Sequence, residues 1–153
     1  MNIGRKIIHF LAQGFGAGRL PYAPGTFGTL VAVPIYLLLS PLAPIVYAVA
    51  VMGLFALGVW LAEVTGRDLG AHDHPSIVWD EIVGYLVTMF LVPPGWMWMV
   101  AGFFLFRLFD IWKPYPIRLI DQRLSNGFGC MLDDALAGVY ALLVLQAARF
   151  ALG

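Results

Sequence analysis

Charge is what this sequence has least of: only 12% of its 153 residues are charged, and 61% are hydrophobic. A soluble domain of this length carries about 25% charged residues, because its surface is large relative to its core. The composition therefore argues against a soluble globule and for residence in a membrane. Cysteine is almost absent as well. The single Cys130 excludes an intrachain disulfide and a thiolate metal cluster, and fits a small core residue beside a loop. Nine basic and nine acidic residues cancel, so no global field exists to attract nucleic acid. No low-complexity segment or internal repeat is present. The glycine run Gly14-Phe-Gly-Ala-Gly18 lacks the last glycine of a nucleotide fingerprint and follows no strand.

The long uncharged runs are what is there. Phe27 to Ala62 contains no charged residue, too long a stretch for one span of about 20 residues. Pro41 and Pro44 mark its turn, since proline ends or kinks a helix. Gly28 to Ser40 and Ile45 to Ala62 are the expected arms. A second uncharged stretch, Ile82 to Phe106, is divided by Pro93-Pro94-Gly95 into two near-equal arms. Ala135 to Ala148 forms a last apolar helix, with Arg149 free to snorkel at its far end. Residues 2 to 13 read as an interfacial helix within an N-terminal segment 1–20, and not as a signal peptide, because His9 and Gln13 interrupt the apolar run. The expected fold is all-α: a single-domain polytopic membrane bundle over residues 1–153, with two helical hairpins and a C-terminal helix. An eleven-residue arm rises only about 16 Å, half the hydrocarbon thickness. The short arms are therefore either extended by their charged ends or re-entrant.

Both hairpin turns are uncharged, so every acid, and every base except Arg149, lies at the open ends. The positive-inside rule assigns that side to the cytoplasm.

Four polar clusters meet there. Pro21-Tyr-Ala-Pro-Gly-Thr26 leads into a helix with Thr26 near its N-cap, a place suited to a phosphate or simply an ordinary cap. In the second cluster, Asp80 and Glu81 open a helix. One acid there would be a cap; two beside an apolar run repel each other and call for a cation. His72 and His74, just upstream, fit metal ligands, a proton shuttle or a solvated loop. In the third, Arg107, Asp110 and Lys113 recur every three residues along one helix face. They are a salt-bridge ladder or, as favoured here, a metal-binding acid flanked by phosphate-binding bases, with Arg118 nearby. In the fourth, Asp133 and Asp134 are expected to open another helix after a glycine-rich loop. Gly84 and Gly138, one turn inward of Asp80 and Asp134, either leave room for a ligand or let helices pack closely. Asp80, Glu81, Asp110, Asp133 and Asp134 form a hard oxygen set that favours Mg²⁺ over Zn²⁺, and with adjacent bases this suits phosphoryl hydrolysis. The expected catalytic residues are Asp80, Asp110, Lys113 and Asp134, with water preferred to an aspartate as nucleophile. Thr26, Arg107, Lys113 and Arg118 are the expected substrate contacts.

The stretches PYAPGTFGTL, HDHPSIVWDEIVGY, FRLFDIWKPYPIR and GFGCMLDDALAGVYA, in this order and spacing, resemble the phosphatidylglycerophosphatase A family from Pro21 to Ala141. The resemblance implies an Mg²⁺-dependent phosphatase of the bacterial inner membrane, acting on phosphatidylglycerophosphate, a phospholipid partner, to give phosphatidylglycerol. Its motif residues fall on Thr26, Asp80, Glu81, Asp110, Lys113, Asp133 and Asp134. Two rival lipid-enzyme patterns are missing: Pro75-Ser76 is not followed by Gly-His, and no Asp-Gly pair occurs. A cation transporter or a non-catalytic membrane scaffold is the alternative from another class.

Overall fold

The computed structural model describes residues 1–153, and all its regular structure is helical: α1 (Ile3–Ala12), α2 (Pro24–Leu39), α3 (Pro44–Leu69), α4 (Trp79–Thr88), α5 (Trp96–Trp112), α6 (Ile117–Arg123) and α7 (Gly127–Leu152). One turn of 3-10 helix, Ala17–Arg19, joins α1 to α2. Prolines set the helix starts. Pro24 and Pro44 take the first position of α2 and α3, where a fixed φ helps and no amide hydrogen is missed. Gly70, at a left-handed φ of 79°, stops α3.

The α2–α3 hairpin and the C-terminal helix are present, and both long helices outgrow their apolar cores. α3 and α7 each have 26 residues, a rise of about 39 Å, and both are long and apolar enough to cross a bilayer. Their charged ends extend them, one of the two outcomes left open for the short arms. The second hairpin departs from expectation, because its arms are unequal. α5 has 17 residues and α4 only 10, so α4 rises about 15 Å and does not cross on its own. It is instead the central post of the bundle, packed against α2, α3, α5 and α7 with eight residues buried. Its neighbours anchor it by hydrogen bonds: Tyr47 donates to the Leu86 carbonyl at 2.5 Å, and the Trp79 indole donates to the Leu54 carbonyl at 3.0 Å.

Leu38, Ile45, Trp96, Phe104, Leu143 and Phe150 stand fully or largely exposed on the outside of the bundle. Such a surface is an aggregation hazard in water and normal in lipid. The fold is a membrane helical bundle. Helix α1 is fastened to the end of α3, where Asp68 meets Arg5 at 2.9 Å and His9 at 2.8 Å. Arg149 donates to the Leu91 carbonyl in the α4–α5 turn, which places this lone base at the end of the bundle away from the acids.

Candidate active site

Three helices deliver the acids. Asp80 and Glu81 open α4, in its first turn as expected. Asp110 lies near the end of α5. Asp133 and Asp134 do not open a helix, contrary to the sequence reading. α7 begins at Gly127, so the pair sits nearly two turns inside it, 4% and 2% exposed. Two caps make the glycine-rich start helical. The Asn126 side chain accepts from the Gly129 amide at 2.9 Å, and Glu63 accepts from the Gly127 amide at 2.6 Å. Both satisfy amides that a helix start leaves free, and a side-chain cap of this kind contributes about 1 kcal/mol.

The acids converge into two sets. Oxygens of Asp80, Asp133 and Asp134 lie within 4.8 Å of one another, as do oxygens of Glu81, Asp110 and Asp134. Asp134 is common to both. The Oδ1 of Asp80, Oε2 of Glu81, Oδ1 of Asp133 and Oδ2 of Asp134 are buried without a hydrogen-bond partner. Unpartnered buried carboxylate oxygens are costly, and a hard cation is the natural partner for a group of them. The site thus fits a metal ion, with an all-oxygen donor set.

The bases divide between the two sets. Arg107 pairs with Asp110 and lies 3.9 Å from Glu81, while its Nε has no partner. Lys113 leaves the expected ladder: it caps α5 with a left-handed φ of 53° and reaches Asp133 at 3.2 Å and Asp121 at 3.7 Å. Burial opposes its charge, but Asp133, Asp134, Asp121 and Asp110 outweigh that and hold its pKa above the usual lysine value. Arg118 stands apart from the acids on α6, donating to the Trp112 carbonyl at 3.0 Å. It shares with Lys113, Tyr115 and Gln122 a cleft of about 400 Å³, linked to the acids through the contact of Lys113 with Asp133.

Other expectations need correction. Thr26 lies near the cap as expected but is not the cap itself: Ala23 occupies that position and Thr26 follows Pro24 and Gly25 in the first turn of α2, half-buried. What brings this motif to the site is Gly25, where an added Cβ would lie 2.9 Å from the Arg107 guanidinium and 3.0 Å from Glu81. Its place beside a helix-opening proline was the available signal. Gly84 and Gly138 do not leave space for a ligand. An added Cβ at Gly84 would strike the Phe106 ring and lie 2.9 Å from the Asp134 carbonyl, and one at Gly138 would overlap the Gly84 carbonyl. They are the close contact between α4 and α7. The histidines join no carboxylate group: His72 is exposed, and His74 bonds Ser76 at 2.8 Å. Cys130 is buried as expected but within α7, its thiol donating to Asp80 at 3.5 Å.

Comparison with known proteins gives the family. The family model described as Phosphatidylglycerophosphatase A matches residues 10–149. A phosphatidylglycerophosphatase A of Escherichia coli K12 is 45% identical over 138 residues, covering 90% of this chain and 80% of the relative. One of Haemophilus influenzae is 46% identical over 145 residues, covering 94% of this chain and 89% of the relative. A Bacteroides thetaiotaomicron protein provisionally named phosphatidylinositol-3-phosphatase is 38% identical over 151 residues, covering 94% of each chain. No solved structure matches. With the matched region running from α1 to the end of α7 and enclosing every acid of the site, this chain belongs to the phosphatidylglycerophosphatase A family of membrane phosphatases.

Proposed function

We propose that the chain hydrolyses the terminal phosphate monoester of phosphatidylglycerophosphate, with Mg²⁺, at the cytoplasmic face of a bacterial inner membrane. The observation that carries this reading is the group of buried, unpartnered carboxylate oxygens flanked by Arg107 and Lys113 at one end of an apolar bundle. The names of the relatives supply the substrate, and the gathering of bases at the acidic end supplies the side.

Asp80, Glu81, Asp110, Asp133 and Asp134 would hold the ion. Bound Mg²⁺ supplies charge neutralisation and water activation. The remaining chemistry belongs to the side chains. The free Nε of Arg107 and the Lys113 ammonium donate to phosphate oxygens and stabilise charge in the transition state. The Thr26 hydroxyl adds a donor from the first turn of α2. A water oxygen bonds to phosphorus as the bond from phosphorus to the glycerol oxygen breaks. Asp80 or Asp134 takes one water proton, and the glycerol oxygen gains a proton, giving phosphatidylglycerol and inorganic phosphate.

Purified protein in detergent is expected to release phosphate from phosphatidylglycerophosphate with Mg²⁺, to stop in excess EDTA, and to recover when Mg²⁺ is restored. Release that persists in EDTA would remove the metal from the mechanism, and no release under any condition would favour a scaffold.

The cleft beside Lys113 gives a second expected result. Phosphatidylglycerophosphate also carries a diester phosphate on its lipid side, and Arg118, which lines the cleft with Lys113, would hold it. A charge-assisted hydrogen bond contributes about 1.5–3 kcal/mol. Arg118→Ala should therefore raise KM about 10-fold and leave kcat within about two-fold, the signature of lost ground-state binding. Equal falls in kcat and kcat/KM would instead place Arg118 in the reaction.

A further inference from the structure

The acids are too many and too spread for one ion. Oxygens on opposite sides of an octahedral Mg²⁺ lie about 4.2 Å apart, twice the ligand distance of about 2.1 Å. The five carboxylates do not form one group even within 4.8 Å. They form two, Asp80–Asp133–Asp134 and Glu81–Asp110–Asp134, each drawn together within 4.8 Å and with Asp134 common to both. Each group also contains its own unpartnered buried oxygen. Asp80 Oδ1 and Asp133 Oδ1 belong to the first alone, and Glu81 Oε2 to the second alone. A single ion in either group would leave the other group's orphaned oxygens as they are.

Charge leads to the same count. Ligation requires ionised carboxylates, and the five together with Asp121, which also pairs with Lys113, against Arg107 and Lys113 leave the site with four formal negative charges. One divalent ion leaves it negative still, and a phosphate monoester dianion would be repelled. Two ions bring it to neutral, so that a dianion is no longer repelled. The distribution of bases follows the division: Arg107 sits with Glu81 and Asp110, and Lys113 with Asp133.

We propose that the site holds two divalent cations, one in each carboxylate group, with Asp134 as their shared ligand. This rests on the metal-dependent phosphatase reading and adds the number of ions and the ligands of each. Asp80 and Asp133 serve the ion on the α4–α7 side, Glu81 and Asp110 the ion beside α5, and Asp134 ties them together. The ordinary spacing of paired ions bridged by a carboxylate, about 3.5–4 Å, is close enough for two manganese ions to couple magnetically.

The test uses the full chain in detergent, stripped with EDTA and reloaded by equilibrium dialysis against Mn²⁺. Elemental analysis should find two Mn²⁺ per chain, and the paramagnetic resonance spectrum should be that of a spin-coupled pair. Asp110→Asn should bind one Mn²⁺ and give the six-line signal of an isolated ion. Asp134→Asn should weaken both ions by 10-fold or more. One Mn²⁺ per wild-type chain at saturation, with an isolated six-line spectrum, would overturn the pair while leaving a one-ion phosphatase intact. No bound Mn²⁺ with phosphate release continuing in EDTA would overturn both. The wild-type stoichiometry needs no variant, so the count stands even where a substitution impairs folding.

Discussion

Asp134→Asn is expected to lower phosphate release from phosphatidylglycerophosphate by at least about 100-fold in detergent with Mg²⁺, and to raise the unfolding temperature of the metal-free protein. The two effects have one cause. Asp134 is 2% exposed and belongs to both carboxylate groups, with one oxygen unpartnered. In the metal-free state its carboxyl is buried among other acids, so folding must either hold it neutral or bury a charge with neither desolvation nor repulsion offset, and both cost free energy. Asparagine keeps the shape and removes the acid, with whichever cost it carries. Replacing a poorly compensated buried ion by a neutral group of similar volume stabilises by about 1–2 kcal/mol, or about 2–8 °C in a chain of this size. In the reaction the same carboxylate supplies fixed negative charge to the cation site, and loss of one preorganised electrostatic group costs about 100- to 1,000-fold. Circular-dichroism melts in EDTA and a phosphate assay in Mg²⁺ measure the two halves. Saturating Mg²⁺ should reverse the order of the melts, because only the wild type gains the full stabilisation of tight ligation. Near-normal release by the variant would remove Asp134 from the chemistry. A lower metal-free unfolding temperature would mean that the carboxylate is already satisfied within the fold.

The side-chain types of this site were legible in the sequence because a bilayer makes charge conspicuous. Uncharged runs broken by Pro41, Pro44 and Pro93-Pro94 fix the hairpins, and a charge beside such a run is costly enough to be informative. Asp80 and Glu81 at the start of α4 followed from that alone. Tertiary partners decided what was not legible. Gly127 and Gly129 argue for a loop, yet Glu63, remote in sequence, caps Gly127 while Asn126 caps Gly129, and the helix so started carries Asp133 and Asp134 inward. The spacing of Arg107, Asp110 and Lys113 predicts a ladder, but α5 ends at Trp112 and the left-handed Lys113 turns toward α7. The short span of α4 was hidden because the helix is apolar on every side, and periodicity cannot find where a uniformly buried helix stops.

Glycines gave the most ambiguous signal, and substitution by alanine separates their roles by sign. Gly84→Ala should destabilise the bundle and cost activity, whereas Gly53→Ala should stabilise it and leave activity unchanged. Gly53 lies inside α3 with nothing within 4 Å of an added Cβ, so alanine there gains helix propensity of about 1 kcal/mol, or about 2–4 °C. Gly84 would gain the same propensity, but its Cβ would meet the Phe106 ring and the Asp134 carbonyl at 2.9 Å. The carbonyl is backbone and cannot rotate aside, and Gly138 already brings α7 against the Gly84 carbonyl from the other direction. The helices must separate, at the 1–3 kcal/mol typical of an overpacked core. That separation falls between the acids of α4 and those of α7, which must close around the same charge. A displacement of about 1 Å at a reacting centre is enough for a loss of about 100-fold. The measurements are thermal unfolding and phosphate release for both variants in the same detergent. If Gly84→Ala melts higher than the wild type and retains full turnover, as Gly53→Ala should, the close crossing of α4 and α7 is not what positions the carboxylates.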